Sequence, residues 1–180
     1  MTAAPRAHIE LRLRELKQLF NSMDPSPFHE RDLDAAAEEF IVDWARELPS
    51  GQEFELSIRL GTPPEPVQAA GVEEAVRHYF QQQAERKRRA LRRMFRLGRY
   101  SLGIGILFLA GCLTLSRVLG QMFEGSSLFA TLELTLDIIG WVALWRPLEI
   151  FLYDWWPLRA DRKLCDRLGR MSVRVLLPGE

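Results

Sequence analysis

Two carboxylic acids, Glu133 and Asp137, lie one helical turn apart in the apolar stretch LFATLELTLDIIGWVALWRPLEIFLYDWW, which covers residues 128–156. An ionised carboxylate near the centre of a bilayer costs about 2.5–3.5 kcal/mol on insertion scales. Such a side chain therefore pairs with a cation, lines an aqueous pathway for cations or protons, or stays protonated and donates a hydrogen bond. Asp137, near the middle of the stretch, most needs a partner.

Structural pairing is the leading interpretation, and Arg117 is the expected partner of Glu133. If the preceding apolar segment packs antiparallel to this one, Arg117 lies near the depth of residues 129–133. The pair would then form within one chain or across a subunit boundary. The alternatives are a pore lined by rings of Glu133 and Asp137 in an oligomer, and a protonated Asp137 in a dry helix interface.

Two further sets of residues in the apolar stretches are expected to be structural. Arg146 and Glu149 are three residues apart near the cytosolic end, so they are expected to form an ion pair at the inner interface. The run LGIGILFLAG (102–111) has small residues on two helical faces, which predicts two packing partners and favours a homo-oligomer. The predicted helix-packing residues are Gly103, Gly105, Ala110 and Gly111.

A basic collar precedes the first apolar stretch. It has eight cations in fourteen residues: Arg86, Lys87, Arg88, Arg89, Arg92, Arg93, Arg96 and Arg99. Cations beside a membrane span attract anionic lipid head groups by about 1 kcal/mol each. Nucleic acid is the weaker alternative partner, because the collar adjoins an apolar span and residues 1–80 carry 15 acids against 8 bases.

The charge pattern predicts topology. Basic clusters lie before the first apolar stretch and after the second, although the chain has no net charge. Under the positive-inside rule, this places both termini in the cytoplasm and the protein in a plasma (inner) membrane. The N-terminal residues lack the apolar region of a cleaved signal.

The remaining sequence predicts a small α/β domain. Apolar residues alternate at 54–60 and 171–177, which is typical of half-buried strands, and residues 9–14 are either a third strand or the start of a helix. A helix is predicted up to Leu48, with Asp32 as its N-cap. The predicted fold is a two-helix transmembrane hairpin with a cytosolic α/β domain of about three strands, the last contributed by the C-terminal segment.

These patterns divide the chain into seven segments. They are an α/β head (1–60), a Pro-rich linker (61–71), an amphipathic and basic juxtamembrane helix (72–99), a first transmembrane helix (100–123), an external loop (124–127), a second transmembrane helix (128–153), and a basic segment with a strand that joins the head (154–180).

No catalytic set, metal site or cofactor site is predicted. The three histidines have no metal-ligand spacing, and the two cysteines are expected on opposite sides of a solvent boundary. The acids around His29 are expected to serve turns and helix caps.

The segment MDPSPFHERDLDAAAEEFIVDWARELP (23–49) resembles uncharacterised small bacterial two-span inner-membrane proteins. The resemblance implies a bacterial inner membrane and supplies no activity, cofactor or catalytic residue.

The functional expectation is a non-enzymatic, homo-oligomeric scaffold or accessory protein of the inner membrane. Its partners would be other copies of itself, anionic lipids and a cytosolic or membrane protein bound by the head, and nucleic acid is not expected. The alternative is a small oligomeric cation or proton channel lined by Glu133 and Asp137.

Overall fold

Three parallel strands from distant parts of the chain form one sheet. The computed structural model describes residues 7–49, 52–63, 66–122 and 127–177. The strands are β1 (Ala7–Leu13), β2 (Phe54–Leu60) and β3 (Ser172–Leu176), in the order β1-β2-β3. The prediction of about three strands, the last from near the C-terminus, is confirmed, and residues 9–13 prove to be strand.

The register of the sheet places apolar residues side by side on one face. Ile9 of β1 pairs with Leu56 of β2, and Leu56 pairs with Val173 of β3. Parallel neighbours need long crossover connections, so each pair of strands is separated in sequence by helices.

The chain divides into two compact units. The first, called the sheet unit, contains Met1–Arg88 and Ala160–Glu180. The second, called the hairpin unit, contains Arg89–Arg159.

Helix α1 (Ala35–Glu47) connects β1 to β2 and packs Ile41 into the core. Its N-cap is Asp34, whose side chain accepts a 3.0 Å hydrogen bond from the backbone N–H of Ala36. The predicted cap at Asp32 is therefore wrong. The backbone N–H of Asp32 instead donates to Asp24 Oδ2 at 2.7 Å, within the loop that precedes α1.

Helix α2 (Pro66–Met122) runs for 57 residues without interruption. It begins inside the predicted 61–71 linker because proline is well suited to the first position of a helix. The predicted juxtamembrane helix and first transmembrane helix are parts of this one helix. Residue 123 and most of the predicted 124–127 loop lie outside the described residues.

The second predicted span is not one helix. Residues 128–153 are divided among α3 (Ser127–Val142), α4 (Trp145–Glu149) and a π-helical stretch (Ile150–Asp154), and α5 (Trp155–Leu168) follows. Pro147 explains the break at residues 143–144, because its ring clashes with the carbonyl four residues earlier and it has no N–H to donate.

Within the described residues, α2 is the one helix that is long and apolar enough to cross a membrane, over Gly71–Met122. The rest of the predicted transmembrane hairpin is thus a helix of 16 residues followed by shorter helical pieces.

The core of the sheet unit lies between one face of the sheet and its helices. Leu56 and Ile58 in the central strand, Ile41 in α1, and Val76 and Phe80 in α2 are all fully buried. The period-two strand pattern and the helical pattern of α1 therefore meet in one apolar layer.

Polar contacts link the three helices of the sheet unit. Tyr79 in α2 donates a 2.6 Å hydrogen bond to Glu38 in α1, and burial beside that carboxylate raises the pKa of Tyr79. Asp161 in α5 lies 3.3 Å from an Arg46 nitrogen and 3.5 Å from Lys87 Nζ. These contacts join α5 to both α1 and α2, which places β3 beside β2.

Asp24 is expected to stabilise its loop in a pH-dependent way. Hydrogen bonds, chiefly from the backbone N–H of Asp32 and also from Ser26, lower the pKa of Asp24 from 3.8 to about 2. Because the folded-state pKa is depressed, this stabilisation is complete above about pH 4 and is lost as the pH falls through about 2.

Replacement of Asp24 by Asn should therefore lower the unfolding midpoint of the protein at pH 7, and the difference from wild type should shrink below pH 4. Thermal unfolding at a series of pH values measures this. Asp43→Asn, which changes an exposed carboxylate on α1, is the control. A difference that is the same at every pH would contradict the prediction.

Candidate functional site in the hairpin unit

Close contact between α2 and the returning helices forms a seam in the hairpin unit. A methyl group built on Gly98 would lie 2.9 Å from Ile150 Cγ2, and one on Gly105 would lie 3.0 Å from Leu144 Cδ2. On the other side of the seam, a methyl group on Gly140 would lie 2.8 Å from Leu109 Cδ1. The glycines therefore let the two backbones approach closely, as small residues do between membrane helices.

Both predicted intramembrane acids lie along this seam. A methyl group built on Gly120 would lie 3.2 Å from Glu133 Oε2, so the Glu133 carboxylate lies against the backbone of α2. Asp137 is one turn further along α3, and its Oδ1 atom is buried with no hydrogen-bond partner among the described residues. Ser116 and Cys112 are the buried residues of α2 in this region.

The predicted Arg117–Glu133 ion pair is not formed within the described part of the chain. Arg117 is exposed and has no carboxylate within 4.0 Å there. The reason is helical geometry, because Arg117 is turned about 100° from Ser116 and about 60° from Gly120, which face the seam.

Only one of the predicted helix-packing residues contacts the returning helices. Gly105 lies in the seam, whereas methyl groups built on Gly103 or Gly111 would meet no atom within 4 Å. Ala110 is also exposed. The structure therefore uses one small face of α2 within the chain and leaves the other free.

The surface of the hairpin unit that faces away from the seam is apolar. Side chains exposed over more than 60% of their area include Ile104, Leu107, Leu128, Leu134 and Trp141. In a water-soluble fold, apolar side chains of this size rarely lie in one continuous exposed patch.

The predicted ion pair at the end of the second apolar stretch is present. Arg146 Nη1 donates to Glu149 Oε2 at 3.1 Å, and it also lies 3.3 Å from Asp154 Oδ2. Trp145 Nε1 donates to the other oxygen of Glu149 at 3.0 Å.

The basic collar follows the surface of α2. Arg88 pairs with Glu85 at 3.0 Å, and Lys87 contacts Asp161. The six other cations are exposed and have no ion pair among the described residues: Arg86, Arg89, Arg92, Arg93, Arg96 and Arg99. Their charge is therefore available to an anionic surface.

Aromatic rings lie beside the collar within the hairpin unit. The ring of Phe95 is 6.1 Å from that of Phe151 and 6.4 Å from that of Trp155. Arg159 lies 5.3 Å above the Trp155 ring, a cation–π contact. Aromatic and basic residues at one level are typical of a membrane interface.

A polar network in the sheet unit was not foreseen from the sequence. On the face of the sheet opposite the core, Ser57 Oγ lies 3.1 Å from His8 Nε2, and Arg174 Nε lies 2.8 Å from Glu55 Oε1. We call the face of the sheet that carries His8, Glu55, Ser57 and Arg174 the polar face. Alternation in each strand indicates which side chains leave the core, but only the register of the three strands brings these groups together.

In the described part of the chain, no group of three or more histidines, cysteines and acids is placed to hold a metal ion.

The chain was also compared with known proteins. No protein-family model, curated protein or solved structure matches it.

The seam predicts different effects of leucine at two neighbouring glycines. Gly105→Leu should destabilise the hairpin unit. The first side-chain carbon at this position would already lie 3.1 Å from the backbone carbonyl oxygen of Ala143, so a leucine side chain does not fit without displacing its neighbours. Gly103→Leu meets open space within the chain and should lower the unfolding temperature of the protein in detergent much less than Gly105→Leu does. Equal destabilisation by the two substitutions would contradict this assignment of the seam.

Proposed function

We propose that the protein is a non-enzymatic, self-associating scaffold anchored in a bacterial inner membrane, with a sheet unit that binds a partner protein in the cytoplasm. The observation that carries this proposal is the division of the hairpin unit into an apolar exposed surface and a seam that holds Glu133, Asp137 and four glycines, which are Gly98, Gly105, Gly120 and Gly140. Hydrocarbon is the environment in which such a surface is stable.

The length of the helices is compatible with a membrane hairpin. Helix α2 contains an uncharged run at residues 100–116, and with the apolar residues on either side it reaches the roughly 20 residues that a span needs. Helix α3 rises only about 24 Å, less than the roughly 30 Å of hydrocarbon, so α4 and the π-helical stretch would complete the return.

The collar supports the orientation and a lipid partner. Six exposed arginines without ion pairs among the described residues would contact anionic head groups on the cytoplasmic side, where the aromatic cluster of Phe95, Phe151 and Trp155 would lie at the interface. Both termini would then be cytoplasmic.

Self-association is supported by the face of α2 that the hairpin does not use. Gly103, Ala110 and Thr114 form an exposed line of small residues that ends at Arg117. A second copy could approach closely along this line, as small residues permit in membranes. Contact with a neighbouring subunit would also give Arg117 access to a carboxylate, which the described part of its own chain does not supply.

The polar face is the proposed surface for the partner protein. Arg12 and Arg59 are exposed there. Glu10 Oε1 accepts a 3.0 Å hydrogen bond from Arg12 Nε and forms an ion pair with Arg59 Nε at 3.0 Å. A surface with fixed charges of both signs favours a partner with a complementary charge pattern.

No observation favours the alternative channel. Glu133 lies against Gly120 of its own chain, and the Asp137 oxygen is buried at the seam. A pore lining would need both acids to face a shared aqueous space between subunits.

Cysteine labelling tests the orientation. In a variant with Cys112 and Cys165 replaced by alanine, a cysteine at Met23 should be shielded and a cysteine at Ser127 should react when whole spheroplasts are treated with a membrane-impermeant maleimide. Met23 is 90% exposed and Ser127 is also exposed, so burial in the fold does not explain a lack of reaction. The reverse pattern would contradict the topology, and extraction of the protein by alkaline carbonate would contradict the anchor.

Site-specific photo-crosslinking in cells tests the two contact surfaces. A benzophenone side chain at the exposed residue Leu107, beside the small-residue line, should give a homodimer adduct, and one at Arg12 should give an adduct with one discrete partner. A probe at Glu39, on the exposed face of α1, is the control and should give neither.

The Gly103→Leu variant tests whether the homodimer adduct depends on the small-residue line. Gly103→Leu should remove the Leu107 adduct by filling the line, whereas Ile104→Leu, on a neighbouring face, should not. Loss with both variants, or with neither, would contradict the proposed interface. A pattern at Arg12 identical to that at Glu39 would contradict the partner surface.

A further inference from the structure

A cavity of about 550 Å³ lies in the sheet unit at the amino-terminal ends of β2 and β3. Three arginines line it: Arg77 from α2, Arg167 from the end of α5, and Arg170 from the turn before β3. Glu53 is the single acid among the described residues of this lining, and the formal charge of those residues is therefore +2.

Arg167 is held in place by neutral groups. Its Nη2 atom donates to the backbone carbonyl of Gln52 at 2.7 Å, and its guanidinium carbon lies 4.0 Å from the centroid of the Phe54 ring. Neither contact cancels its positive charge. A guanidinium fixed in this way binds an anion at a smaller entropic cost than a freely rotating one.

Arg77 is similarly fixed. Its Nε atom donates to the backbone carbonyl of Met171 at 2.8 Å, and its Nη2 atom lies 2.8 Å from Glu73. The Glu73 carboxylate offsets part of this charge. Arg77 still has donors beyond those used in these two contacts, because a guanidinium carries five N–H groups.

Arg170 is the available cation of the set. It is exposed and has no ion pair among the described residues. With Arg167, it supplies a second guanidinium that no carboxylate neutralises in the described part of the sheet unit.

The chemistry of the lining selects a class of ligand. One arginine fork satisfies a carboxylate with two parallel hydrogen bonds, whereas a phosphate has three terminal oxygens that two or three forks can share. The volume falls within the roughly 300–1,000 Å³ typical of small-molecule sites, which is larger than a bare phosphate needs.

A neighbouring cavity provides a contrast. It measures about 620 Å³, and its lining includes Glu30, Glu73 and Glu74 with Arg77 and two histidines. Three acids make that cavity unfavourable for an anion, so anion binding is expected only where Arg167 and Arg170 contribute.

We propose that the cavity between Arg77, Arg167 and Arg170 is a binding site for a phosphate group carried by a small molecule or by a lipid head group. Arg167 and Arg77 provide the preformed donors, and Arg170 adds a guanidinium whose removal leaves the fold intact. The site does not depend on the proposed anchoring of the hairpin unit in a membrane, because all of its described lining residues belong to the sheet unit.

The first arm of the test uses a soluble phosphate. Full-length protein in detergent is titrated with inorganic pyrophosphate at low ionic strength by isothermal calorimetry. Saturable binding is expected, and Arg170→Gln should weaken it about tenfold, the typical effect of losing a hydrogen bond to a charged group. Lys163→Gln, which removes an exposed cation of α5 outside the cavity, should have no effect.

The second arm uses a lipid phosphate. The same three proteins are mixed with phosphatidic acid or phosphatidylcholine in detergent, and bound lipids are counted by native mass spectrometry. Binding to the collar is the same background in all three. Loss of one phosphatidic acid adduct in Arg170→Gln, but not in Lys163→Gln, assigns the site to a lipid head group.

Each outcome distinguishes the sources or overturns the site. An effect of Arg170→Gln on pyrophosphate alone assigns a soluble phosphate compound, and an effect on phosphatidic acid alone assigns the lipid. Equal behaviour of Arg170→Gln and wild type in both arms, or equal weakening by Lys163→Gln, overturns the proposal. Unchanged thermal unfolding of Arg170→Gln confirms that a lost signal reflects the site and not the fold.

Discussion

The pairing of β2 with β3 is the constraint on which the rest of the structure depends. β2 is the central strand, and its second neighbour comes from residues 172–176, more than a hundred residues further along the chain. The whole hairpin unit, residues 89–159, therefore lies in sequence between the two strands. The entropic cost of closing so long a connection is moderate, because each doubling of loop length adds only about 0.6 kcal/mol. Helical structure in the connection, including the seam of the hairpin unit, reduces the conformational entropy that the chain still loses when β3 pairs with β2.

The same pairing explains where the arginine cavity comes from. Arg77 contacts the carbonyl of Met171, and Arg167 contacts the carbonyl of Gln52, so each guanidinium holds one strand by its amino-terminal end. These contacts fix the register of β3 while leaving part of each guanidinium unused. A structural role and a binding role are therefore compatible in the same side chains, and Arg170 is the member with no structural contact through its side chain among the described residues.

Periodic features of the sequence predicted most of the elements of the sheet unit, whereas contacts that depend on three-dimensional position could not be predicted from them. Alternation at Leu56 and Ile58 and at Val173 predicted two strands because one face of the sheet is apolar, but at residues 9–14 it left strand and helix both open. The Arg117–Glu133 pair is not formed within the described part of one chain. It was argued from depth along the helix, while contact also needs the correct angle around it. Pro147 gave a local signal for the break in the second span, yet the apolar composition on both sides outweighed it. Arg77, Arg167 and Arg170 had no pattern that could have grouped them, since their proximity depends on where β3 joins the sheet.

The position of β3 also has a consequence for the order of assembly in the cell. A ribosome makes β1, α1 and β2 first, then the whole hairpin, and only afterwards the strand that covers the second edge of β2. Until then, the central strand has an open edge, which is the kind of backbone that pairs readily with other chains. Completion of the sheet thus reports that the helices between have already been made and have turned back. A nascent chain that stalls within the hairpin unit retains an exposed edge on β2, the type of feature that chaperones and proteases act on. The topology therefore makes an incomplete chain distinguishable from a complete one.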